Sequence, residues 1–178
     1  MLAFLRQLAR ALTGKVDALE FALGVFFGTW LGLLPMHEVD PGTGILGLNG
    51  LWLLVLFLFL LLKASIPVGV VFAALVQALG IAFLDELAFG FGQSTLDGMG
   101  PDGAAAGWYA SMPSLQLHTY WGFGAAVFGF VAALLLTIPL YFVFKKKLPA
   151  WRERFGQSRL AQALSGFFVF RALRFLLR

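Results

Sequence analysis

The sequence predicts an all-α integral membrane protein, with about four transmembrane or partly re-entrant helices and an amphipathic interfacial helix at each terminus. Three observations carry this: the composition, the spacing of the apolar runs, and the side of those runs on which the cations fall. Of 178 residues, 60% are hydrophobic and 12% charged, and the mean hydropathy is +0.87. Ordinary globular domains carry about a quarter charged residues. Here the deficit is concentrated in long uncharged stretches, as in chains whose solvent is hydrocarbon. One membrane domain covers residues 1–178.

Residues 1–16 hold an amphipathic pattern. Leu2, Leu5, Leu8, Ala9 and Leu12 recur at helical spacing, opposite Arg6, Gln7 and Arg10, so the expected helix lies in the headgroup plane with its arginines on anionic lipid. The bundle, 18–144, holds four apolar segments: Phe21 to Pro35, Ile45 to Leu62, Ile66 to Leu84, and Tyr120 to Phe144. The first is only about 22 Å long as a helix, against a hydrocarbon core of about 30 Å, so it thins the bilayer, extends past Glu20 or re-enters. The third has two readings: the favoured one stops at Leu84 and puts Asp85 and Glu86 at the interface, and the other runs on to Gly92 and carries both acids into the membrane as a candidate site. The Gly-rich stretch from Gly90 to Gly107 reads as a loop. Pro139 predicts a kink in the fourth segment. In 148–178, Arg171, Arg174 and Arg178 share one stripe, giving a second interfacial helix on the cytoplasmic side.

Orientation follows from the charges. If the segments alternate with the N-terminus inside, all 13 Lys and Arg fall on the inner side. Glu38, Asp40, Asp85, Glu86, Asp97 and Asp102, six of the nine acids, fall outside. That is a complete positive-inside bias, with both termini cytoplasmic.

Gly24, Gly28 and Gly32 stand four residues apart in the first segment. Each costs about 1 kcal/mol relative to alanine in a water-soluble helix. In lipid, where helices associate by close packing, such a row makes a flat groove for another backbone. Ala74, Ala78 and Ala82 repeat the spacing in the third segment, and Gly122, Ala126 and, on an adjacent row, Gly129 in the fourth. These rows are candidate faces for helix packing inside the chain, for a partner helix, or for a homo-oligomer.

The polar candidates are few. His37, Glu38, Asp40, Asp85, Glu86 and His118 all fall on the outer side, and imidazole with carboxylate is a donor set for a metal or a proton relay. Their spacing matches no ligand motif, so no metal and no cofactor is expected. Asn49 and Gln77 are lone amides within spans, expected to bond between helices. With no cysteine, there is no disulfide, thiolate site or cysteine nucleophile. No serine elbow or phosphate-cradling loop is present, and no enzyme is expected. The net charge of +4 does not point to nucleic acid, because the basic residues flank apolar spans instead of forming one soluble face.

At "FALGVFFGTWLGLLP" the chain resembles the bacterial membrane family called domain of unknown function 2062. Ala22, Gly24, Gly28 and Pro35 occupy the places of its Ala-x-Gly-x3-Gly…Pro pattern. One branch, small stand-alone inner-membrane proteins, is also similar at "FLDELAFGFG", "WYASMP" and "TIPLYF". After Pro35 the chain departs from the family, reading "MHEVDPGTGILGLNG". The resemblance implies a Gram-negative bacterium, a larger single-span envelope protein as partner, and phospholipid transport between the two membranes as the process. The residues themselves leave a second class open: a small solute or ion transporter or channel, with Pro67, Pro139, Asp85 and Glu86 on its pathway.

The absence of native cysteine makes orientation directly readable. Asp97→Cys is expected to react with a membrane-impermeant maleimide added outside intact spheroplasts, and Lys147→Cys to react only after lysis. The reverse pattern would overturn the charge-based orientation.

Overall fold

A computed structural model describes residues 17–40, 44–100 and 103–156, with side chains except those of 38–40, 44–46 and 148–156. Arg6, Arg10, Arg171, Arg174 and Arg178, and with them both expected interfacial arginine stripes, lie outside the described residues. The described chain is mostly helical. Helix α1 spans Ala18–Leu33, strands β1 and β2 span His37–Asp40 and Gly44–Leu48, and α2 spans Gly50–Leu61. Helix α3 (Ile66–Leu79) passes through a π turn, Gly80–Leu84, into α4, Asp85–Met99. Helix α5 (Ala104–Ser111) and a 3-10 turn, Pro113–Leu115, lead to α6, Tyr120–Gly156.

Local chemistry sets these boundaries. The Asp17 carboxylate accepts the Ala18 N–H at 2.6 Å, and Glu20 lies in the first turn of α1, where negative charge meets the helix dipole. Pro35 disfavours a helical Leu34 and ends α1. The chain then forms an antiparallel hairpin with His37 opposite Leu48 and Val39 opposite Ile45. The all-α expectation is corrected here: Ile45 to Leu48, expected as the start of the second helix, is strand. Asn49 is the turning point. Its Oδ1 accepts from Leu51 N–H at 2.9 Å and Trp52 N–H at 3.3 Å, so this amide caps α2 instead of bonding between helices. Pro67 sits in the first turn of α3, where its missing N–H costs nothing. Thr119 Oγ1 accepts the Gly122 N–H at 3.0 Å and starts α6.

Two further expectations are corrected. The third segment does not stop at Leu84: one apolar helix runs from Ile66 to Met99, which carries Asp85 and Glu86 within it and replaces the first half of the expected loop. Helix α6 does not break after Lys147 either, so residues 148–156 continue it.

Helix α1 is the centre of the bundle. A Cβ on Gly24 would lie 2.7 Å from the Ser65 carbonyl oxygen; one on Gly28 would enter the backbone of Gly69, 2.8 Å from its Cα; one on Gly32 would lie 2.8 Å from the Ala73 carbonyl oxygen. The residue numbers rise together, so α1 and α3 run parallel with backbones nearly touching. Helix α2 returns alongside this pair, with Phe59 packed on Phe27 and its ring against Gly69. On its other side α1 meets α6 antiparallel: Trp30 Nε1 donates to the Ala126 carbonyl at 3.1 Å, and Gly129 faces Trp30 and Leu33. Ala74, Ala78 and Ala82 are exposed, so the internal packing of α3 uses Gly69 and Ala73, and the alanine row faces away from α1. Gly122 packs on the Gln116 carbonyl and Thr119, serving the start of α6 instead of a helix crossing.

A second crossing joins α4 to α6. A Cβ on Gly92 would strike the Tyr120 carbonyl, and one on Gly124 the Ala88 carbonyl. The π turn lets one helix serve both crossings. From Gly69 to Ala88 an unbroken α-helix would end about 100° out of phase. The extra residue of the π turn, closed by Asp85 N–H to the Gly80 carbonyl, takes up about one residue's rotation. Gly69 on α1 and Ala88 on α6 thus fall on nearly one face.

The Ser65 N–H donates to the Glu20 carbonyl at 2.9 Å and the rings of Phe21 and Phe144 lie 3.8 Å apart. Lys63 and Lys145 to Lys147, next to these contacts in the chain, are thereby gathered at one end of the bundle. Two helices, Ile66–Met99 and Tyr120–Lys147, are long and apolar enough to cross a membrane, and only 22% and 11% of their apolar windows are buried. Ile81, Leu135 and Phe142 are among the large side chains left bare, a surface that suits hydrocarbon and not water.

Gly28→Ala is expected to destabilise the folded protein in detergent by about 1–3 kcal/mol, because backbone stands where the methyl would go. Gly90→Ala, with nothing within 4 Å of its added Cβ, is expected to be neutral or slightly stabilising. Thermal unfolding of the pair checks both; equal behaviour would contradict the close approach of α1 and α3.

Candidate functional site

The glycine contact that brings α1 against α3 leaves α2 standing off from α3 beyond Phe59. Between them is a cavity of about 740 Å³. Its floor is the Phe59 ring lying on Gly69. One wall is the end of α1, Leu31 to Pro35; Trp52 and Leu56 of α2 form a second. The third comes from α3: Val70, Ala73, Ala74 and Gln77. Val70 and Ala74 also belong to the exposed surface of α3, so the cavity opens sideways between α2 and α3.

Its polar groups are gathered at the end away from Lys63. His37, at the first position of β1, is exposed and lines this end, with Phe89 and Trp121. The Trp121 Nε1 is buried and has no hydrogen-bond partner among the described residues. Gln77 is exposed on α3 and makes no side-chain hydrogen bond to the described residues. Among the described residues the lining contains no carboxylate, hydroxyl or amine, so the chamber offers solvation, hydrogen bonding and the one imidazole of His37.

Behind it lies a polar junction that holds the hairpin to the start of α6. Asn49 N–H donates to the Met36 carbonyl at 2.9 Å, and Gln116 Nε2 donates to the Gly47 carbonyl at 3.3 Å. Asn49 and Gln116 are both buried, with Asn49 Nδ2 and Gln116 Oε1 unpaired among the described residues. Gly47 has φ 93° and Gln116 has φ 56°, left-handed backbone that suits the glycine and strains the glutamine.

The sequence-predicted polar set is dispersed. His37 is at the cavity mouth. Glu38 and Asp40 are in β1, their side chains outside the described residues. Asp85 is half-buried against Gly80, whose absent Cβ would lie 2.8 Å from Asp85 Oδ1, and Glu86 is exposed. His118 packs edge-on to Tyr109, ring centroids 5.0 Å apart. Among the described residues no group of three His, Asp or Glu forms a metal site. Trp52, Phe59, Phe89 and Trp121 were not foreseen as site residues. The available signal was aromatic residues beside small ones, Phe59 opposite Gly69 above all.

Set against protein families, curated proteins and solved structures, the chain matches none.

Burial holds His118 below its ordinary value of 6.5. The unfolded chain therefore takes up the proton first, and stability falls as pH drops below that value. Melting temperature measured between about pH 8 and about pH 5.5 is expected to decline at the acid end for the parent protein and to decline less for His118→Gln. Parallel curves would show that His118 is not desolvated.

Proposed function

We propose that this chain is the non-enzymatic inner-membrane subunit of a trans-envelope complex, partnered by a larger single-span envelope protein, that moves phospholipid between the inner and outer membranes of a Gram-negative bacterium. In this reading the protein is multi-pass with both termini cytoplasmic. The observation that carries it is the pair of short helices at the centre of the bundle. Helix α1 has 16 residues and α2 has 12, about 24 Å and about 18 Å at 1.5 Å per residue. Neither matches a hydrocarbon core of about 30 Å. A central hairpin this short, beside two longer apolar helices, favours local thinning of the bilayer. Thinning lowers the cost of drawing a lipid out of its leaflet. The gathering of Lys63 and Lys145 to Lys147 at one end supports the orientation, and the outward alanines 78 and 82, beyond the cavity lining, supply a small-residue face for the partner's helix.

Depletion of the protein in its native cells is expected to change the phospholipid content of the outer membrane and weaken its permeability barrier. Purification from native membranes in mild detergent is expected to bring along a larger single-span protein. An unchanged outer membrane would remove the phospholipid assignment.

A second reading, movement of a solute or ion, draws on Asp85, half-buried within the long helix Ile66–Met99. Intramembrane acids mark ion and proton paths. Flux through proteoliposomes of the pure protein would favour it; lipid effects without flux favour the first.

A further inference from the structure

We infer that the cavity between α2 and α3 is a binding site for one acyl chain of a bilayer phospholipid, with the lipid's ester and phosphate oxygens held at the end lined by His37, Gln77 and Trp121. The inference rests on the phospholipid reading above, which it deepens by naming where the lipid is held.

Four features of the chamber select this occupant. The first is length. From Phe59 to Trp52 along α2, and from Gly69 to Gln77 along α3, the walls rise about 11–12 Å at 1.5 Å per residue. One leaflet's hydrocarbon is about 15 Å deep, half of the core, so the chamber holds most of one chain. The second is volume, about 740 Å³, within the usual range for small-molecule sites and therefore suited to part of a lipid and not to a partner helix. The third is the opening. Val70 and Ala74 stand both on the cavity wall and on the exposed face of α3, so a chain slides in from the bilayer without leaving hydrocarbon.

The fourth is the placement of donors. Trp121 Nε1 is a buried donor without a partner among the described residues, and an unpaired N–H away from water costs free energy until an acceptor arrives. The Gln77 amide, on a helix apolar enough to cross a membrane, is likewise unpaired within the described residues. Both residues line the chamber together with His37, while the end toward Lys63 is closed by Phe59 on Gly69. A phospholipid is the membrane component with matching polarity: a long apolar tail joined directly to ester and phosphate oxygens, a cluster of strong acceptors.

The full-length protein reconstituted in phosphatidylethanolamine–phosphatidylglycerol vesicles, doped with a phospholipid carrying a diazirine near the middle of one acyl chain, reads this directly. On irradiation, labelling mapped by peptide mass spectrometry is expected to concentrate on Trp52, Leu56 and Val70. Ala74→Trp, which fills the opening, is expected to lower that labelling about tenfold, the loss that about 1.4 kcal/mol of contact would bring. Leu75→Trp, one residue away, exposed and outside the cavity lining, is expected to leave it unchanged. Should Ala74→Trp fail to fold, Gln77→Leu tests the polar end, and reduced labelling with a spin-labelled headgroup no longer immobilised is the expected result. Labelling spread evenly over the bare apolar surface, or equal in all variants, would overturn the site. The two readings fail separately. Cavity labelling with an unaltered outer membrane in depleted cells removes transport and leaves the site. A defective outer membrane without cavity labelling does the reverse.

Discussion

The bundle depends on one contact: the backbone of Gly28 against the backbone of Gly69. The outer surface of these helices is as bare and apolar as their contact faces, a setting in which association rests on how closely two backbones approach. Three glycines in a row on α1 let α3 lie along it at a separation no Cβ would permit. That contact makes α1 and α3 parallel neighbours, and a parallel pair requires an intervening return. The hairpin β1–β2 and the short helix α2 are that return. Because α2 has only 12 residues and is wedged by Phe59 at its far end, it leaves the chamber above Phe59 open.

The same economy governs the second crossing. Gly92 and Gly124 bring α4 against α6 as Gly28 and Gly69 bring α1 against α3. A single long helix then has to present small residues to two different neighbours. The π turn at Gly80–Leu84 solves this by re-phasing the helix between the two crossings. The half-buried Asp85 at its end fits because Gly80 has no side chain. A carboxylate inside an apolar helix is thus tied to the geometry of the turn as well as available to chemistry.

How much of this was legible depended on whether a feature is local. The α1 glycine row, the short first segment and the end of the bundle where Lys63 and Lys145 to Lys147 gather can all be read from spacing. The partner of the glycine row cannot. Ala74, Ala78 and Ala82 have the same size and period as the true face at Gly69 and Ala73, and only the direction of approach of α1 separates them. The stretch from Gly90 looked like a loop because glycine density is a turn signal in water. In an apolar bundle that density is a crossing, and Gly92 is buried at its centre. The strand at Ile45 to Leu48 was concealed by its apolar composition, although the preceding Asp40-Pro41-Gly42 carries turn chemistry. The cavity was invisible because it is made by what α2 fails to reach, a property of three elements together. His37 stood out in the sequence as a polar residue on the outer side, and the structure puts it at the mouth of an apolar chamber.

The measurement closest to the central claim is solid-state NMR of glycine-labelled protein in lipid bilayers. A through-space Cα–Cα correlation between Gly28 and Gly69 is the predicted result. Its absence, with Gly28 in contact with lipid acyl protons instead, would contradict the parallel packing of α1 on α3 and the cavity that follows from it.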